Sequence, residues 1–91
     1  MDRRDDDNWT TRAADLATES TVMRQVLAVH PVLLTTEELI REIAGEQAEF
    51  AERDAIERAV RDLGGVGLLH QHGEFVLPTR AALHFSELLE R

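Results

Sequence analysis

Apolar residues recur along this chain at spacings of three and four from Trp9 onward, and the breaks between them divide it into elements. Residues 1–8 hold no apolar position after Met1 and read as a flexible acidic N-terminal tail. Trp9, Ala13, Leu16 and Ala17 then share one side of a short amphipathic helix over 9–17. Thr18-Glu19-Ser20-Thr21 offers poor helix formers and good cap residues. Either a second helix begins there or one long helix passes through. Residues 18–91 read as one domain, and its first helix covers 20–30, with Val22, Met23, Val26, Leu27 and Val29 as the apolar face. Pro31 ends it, because the residue before proline avoids the α region. Val32-Leu33-Leu34 has the character of a single short strand.

Thr35-Thr36-Glu37-Glu38 predicts a capping box. The Thr35 hydroxyl accepts from the third helical amide and Glu38 reaches back to the cap. Leu39, Ile40, Ile43 and Ala44 make the helix that follows, and Gly45 suits its end. A further helix is expected from Phe50 or Ala51 to Leu63, buried along Ala55, Ile56, Ala59, Val60 and Leu63. Gly64-Gly65 is expected to stop it, since glycine carries no Cβ penalty in a left-handed cap. Val66–Pro78 predicts a β-hairpin turning at His72-Gly73. That register pairs His70 with Phe75 and Leu69 with Val76, placing Leu68, His70, Phe75 and Leu77 on one face. Thr79 caps a last helix with an apolar side of Ala82, Leu83, Phe85, Leu88 and Leu89.

This order of elements, and above all the run Ala55-Ile56-Glu57-Arg58-Ala59-Val60-Arg61-Asp62-Leu63-Gly64-Gly65-Val66-Gly67-Leu68-Leu69, resembles the winged helix-turn-helix family over about residues 20–90. The return strand Gly73–Pro78 running into Thr79-Arg80 looks like the family's exit from the wing. The resemblance implies a mostly α, α+β fold with a three-helix core, a hairpin wing and a C-terminal helix. It also implies that the helix over Ala51–Leu63 reads the DNA major groove while the wing touches the backbone. Carried onto this sequence, the DNA-contacting residues are Arg53, Glu57, Arg58, Arg61, His72, Gly73 and Arg80. Base contacts are assigned to Arg53 and Arg61, and phosphate contacts to Arg58, Arg80 and the Gly73 backbone. The implied role is a DNA-binding transcription regulator on double-stranded DNA.

Charge pulls the other way. The chain has ten arginines and no lysine against eighteen acids, a net charge of −8. Within Thr35–Leu63, nine acids face four arginines, where a DNA-reading unit shows a basic stripe. Each arginine of the expected helix over Ala51–Leu63 also has an acid one helical turn away: Glu57 beside Arg53 and Arg61, and Asp54 and Asp62 beside Arg58. The alternative is therefore an acidic protein-interaction or dimerisation module that leaves DNA alone. Its expected surfaces are Glu38 and Glu42 toward a basic protein partner, or Trp9 and Leu16 against Leu83 and Leu88 of a second chain in a homodimer.

Other chemistry finds little support. The absence of cysteine excludes disulfides and thiolate metal sites. His70 and His72 are split between sheet and turn in the expected register, His70 partly buried beside Phe75 and His72 solvated, so no metal is assigned. Neither Ser20 nor Ser86 has an oriented base, and Gly64-Gly65-Val66-Gly67 lacks the lysine of a phosphate loop. No enzyme activity and no cofactor are expected. With no membrane-length apolar run and no signal-like start, a cytoplasmic location is expected.

Overall fold

The computed structural model describes residues 3–91, with side chains from Thr11 onward. The elements are α1 (Arg3–Val29), β1 (Leu34–Thr35), α2 (Thr36–Ala44), α3 (Phe50–Gly65), β2 (Leu69–His72), β3 (Phe75–Pro78) and α4 (Arg80–Leu89). The fold is α+β and mostly helical, with one small antiparallel sheet in the order β1-β3-β2.

Of the two options at Thr18–Thr21, the chain takes the single long helix. The Thr18 hydroxyl donates to the Ala14 carbonyl and the Thr21 hydroxyl to the Ala17 carbonyl, both at 3.0 Å. Each threonine turns its hydroxyl inward to its own helix instead of capping a new one. The first two positions of the expected tail lie outside the described residues, and from Arg3 the backbone is helical. Val22 and Val26 of α1 are buried against α3, and the helix ends at Val29, just ahead of His30-Pro31.

The start of α2 follows the expected cap in half. Thr35 Oγ1 accepts from the Glu38 amide at 3.1 Å. The Glu38 carboxylate accepts from the Thr35 hydroxyl at 3.0 Å. Gly45 closes the helix at φ +88, donating its amide to the Arg41 carbonyl.

Helix α3 runs two residues past the expected stop. Gly64 and Gly65 are its last helical residues, and the left-handed position falls to Gly67 at φ +87. The Leu68 amide donates to the Leu63 carbonyl at 3.0 Å and the Gly67 amide to the Gly64 carbonyl at 3.2 Å. This is a Schellman exit, with Leu68 packed back on the core beside buried Leu63. The double glycine is an obvious stop signal, yet the motif needs glycine only where φ turns positive.

The hairpin forms with its turn one residue later than expected. Gly73 and Glu74 are the loop, and the pairs are Leu69↔Pro78, His70↔Leu77, Gln71↔Val76 and His72↔Phe75. A turn at His72-Gly73 would need positive φ at both residues. With Gly73 at φ +61 in the first turn position, the glycine alone supplies it. Moving the turn by one position shifts the pairing by two, so every paired side chain keeps its expected face. Leu69 and Val76 therefore point into the core as the alternation requires. Leu34 of β1 pairs with Val76 on the other edge of β3.

Leu34, Leu39, Ile40, Ile56, Ala59, Val60, Leu63, Leu69 and Val76 join the two α1 valines in one buried cluster. Thr79 fastens α4 to it. The Thr79 hydroxyl accepts from the Ala82 amide at 3.2 Å and donates to the Gly67 carbonyl at 2.7 Å. The expected burial of α4 is corrected here. Ala82 is buried and Leu83 half-buried, but Phe85, Leu88 and Leu89 stand 59 %, 56 % and 71 % exposed. Hydrophobic spacing locates a stripe without saying whether this chain has anything to lay on it.

Candidate interaction surfaces

The face of α3 turned from the core carries Asp54, Glu57, Arg58 and Arg61, all exposed, with Arg53 at its edge and Phe50, 83 % exposed, at its start. Core positions Ile56, Ala59, Val60 and Leu63 occupy the opposite side, which is why these charged residues share the outer one. The expected pairing of the arginines along their own helix holds only for Arg58 with Asp54, at 4.0 Å. Arg53 instead donates to the Glu37 carboxylate on the first turn of α2, 2.5 Å away. Arg58 also reaches Asp15 on α1 at 3.5 Å. Packing brings these carboxylates from other helices, a juxtaposition with no local signature in the sequence.

The Arg53–Glu37 contact is the shortest ion pair among the described residues. The hydrogen bond from Arg53, with its positive charge, holds the Glu37 carboxyl below its ordinary range. Reciprocally, the hydrogen bond to Glu37 raises Arg53. Both side chains are solvated, so salt screens the pair. Among the described residues Arg61 and Arg80 have no carboxylate within 4 Å. Arg80 sits exposed in the first turn of α4, on a different element from α3.

The hairpin tip at His72 and Gly73 is exposed. His72 belongs to β2 rather than to the turn, so it shares the outer sheet face with His70, their rings 6.4 Å apart and nearly parallel. His70 is exposed opposite Leu77, not partly buried beside Phe75. No group of three or more metal-ligating side chains forms among the described residues.

The acidic face expected on α2 is partly spent. Glu37 is held by Arg53 and Glu38 by Thr35, while Glu42 is exposed and free of any described ion pair. Of the residues expected to meet a second chain, Leu16 and Leu88 are each about half exposed and Leu83 leans on its own domain. The Trp9 side chain lies outside the described residues. A shallow groove of about 280 Å³ between α1, α2 and α3 is lined mainly by Ala17, Ile43, Ala44, Ala55 and Ile56.

Among the described residues no helix is long and apolar enough to cross a membrane. Comparisons with protein-family models, with curated proteins and with solved structures find no match to this chain.

Proposed function

We propose that this chain is a winged-helix-type interaction module that docks to protein rather than reading DNA. The element order, with β3 between β1 and β2 and α3 packed against β2, is compatible with that layout. The observation that carries the reading is the pairing of arginines on α3, the helix that would read DNA. Two of its three arginines are engaged by Glu37, Asp15 and Asp54, so a phosphate would have to displace carboxylates already in place. Large apolar side chains left in water stand on α4 as Phe85, Leu88 and Leu89, and Phe50 does so at the start of α3.

Fluorescence anisotropy with a pool of labelled duplexes tests it at low salt, where backbone electrostatics are strongest. The expected result is no saturable complex at micromolar protein. A complex that weakens steeply with added salt overturns the reading.

One observation favours a second reading, the DNA-binding transcription regulator. Arg61 lies on the outer face of α3 with no carboxylate of the described residues within 4 Å, and the His72–Gly73 tip is exposed. In that case Arg61→Ala costs about 1–3 kcal/mol at one base position.

A further inference from the structure

The later turn of the hairpin brings two imidazoles together. With Gly73 and Glu74 as the loop, His72 joins His70 on β2, a strand paired along its length to β3. Side chains two positions apart on a strand project from the same face. The two rings stand there with centroids 6.4 Å apart and planes 26° from parallel. Neither is committed elsewhere. Among the described residues no carboxylate lies within 4 Å of either ring. Nor does either make a hydrogen bond to a described residue. Across the ladder His70 meets Leu77 and His72 meets Phe75, both half-buried and apolar, so β3 offers the rings no competing charge.

Both rings are exposed, so rotation about their side-chain bonds sets their spacing while the strand stays still. A metal about 2 Å from one nitrogen of each ring holds two adjacent imidazole centroids roughly 5 Å apart. Rings 6.4 Å apart reach that spacing by closing about 1 Å, with no change in the backbone. The donor set also selects among metals. A structural zinc site takes four protein ligands. A tetragonal Cu(II) or Ni(II) centre accepts nitrogen together with water oxygen, and affinity for a given nitrogen site peaks at Cu(II). No third metal-ligating side chain joins the pair among the described residues. Water is then left to fill the remaining positions.

We propose that His70 and His72 form a two-imidazole chelate for a late first-row divalent metal ion, Cu(II) before Ni(II), on the outer face of the hairpin. One ion binds per chain and exchanges with solvent, because water completes its coordination. The chelate does not rest on the reading of the chain as a docking module. Salt-sensitive duplex binding removes that reading and leaves the chelate in place, and failure of the chelate leaves the docking module standing.

Calorimetric titration of the full chain with Cu(II), in a buffer that does not bind the ion, tests it. The decisive variant keeps the number of histidines and moves one to the other face of the strand: Gln71→His combined with His72→Gln. Neighbouring positions on a strand point to opposite faces, so the two imidazoles of that variant cannot share an ion. Gln71 and His72 are both exposed, so the exchange leaves the core alone, and circular dichroism verifies the fold. His30 and His84 remain in every chain, so any binding at them is common to all. The expected result is one site whose dissociation constant rises at least about ten-fold in the exchanged variant, and by a similar factor in His70→Ala and in His72→Ala alike, because a chelate fails when either arm is lost. An exchanged variant that binds Cu(II) as tightly as the native chain overturns the chelate. So do single substitutions that each remove one of two equal sites and leave the affinity of the other unchanged.

Discussion

Gly64, Gly65 and Gly67 lie within four positions and do different work. Only Gly67 has positive φ, at +87, where a side chain is strained. A Cβ at Gly65 meets nothing within 4 Å, and one at Gly64 meets only the Leu69 carbonyl at an ordinary 3.7 Å. Gly65→Ala is therefore expected to stabilise the protein by about 0.4–1 kcal/mol by restricting the unfolded chain. Gly67→Ala is expected to cost about 1–2 kcal/mol. Urea melts of the two variants measure both. Glu37 offers a pH test. Its folded carboxyl titrates below the ordinary 4.5 because Arg53 donates to it. The stability it contributes is present above that value and fades as pH falls through the lowered one. Glu37→Gln is expected to flatten the acid limb of the stability profile below about pH 5 and to change little at neutrality in high salt. Urea midpoints across that range measure it. Neither glycine nor glutamate shows its role from its immediate neighbours, since one depends on a dihedral angle and the other on a different helix.

Among the elements, the helices with clear caps were the most legible. Type and position mark Thr35 and Thr79 as N-caps, and both accept from the amide three residues on. Thr79 does more than its position announces, because its hydroxyl also holds the Gly67 carbonyl at the exit of α3. Thr79→Ala is expected to cost about 1–2 kcal/mol and Thr79→Ser much less, since serine keeps the donor and the acceptor. Thermal melts of both variants compare them. The hairpin was legible as an element and in its two faces, but not in its turn. Two candidate loops share Gly73, and the one that places it first avoids a left-handed histidine. The sequence leaves the continuity of α1 open, because threonine serves equally as a cap and as an inward-bonded helix residue.

For the molecule as a whole, one core ties α1, α2, α3 and the sheet together, and it is small. Leu39→Ala, in a fully buried site, is expected to cost about 2–5 kcal/mol, a large part of the stability of a domain this size, read as a drop in urea midpoint. The acidic surface and the unburied side of α4 are also properties of the whole. They become visible only when exposure is known.

Periodicity, cap residues and turn glycines act over a few positions, so the amino-acid order alone was enough to place α2, α3, α4 and the hairpin and to exclude thiol chemistry. Which apolar stripe becomes core and which stays in water depends on the elements that pack against it. Leu63 packs against the sheet, whereas Phe85, of the same general character, stays 59 % exposed. The arginines follow the same rule: Arg53 and Arg58 took their carboxylates from α2 and α1, because packing brought Glu37 and Asp15 within reach across long stretches of sequence.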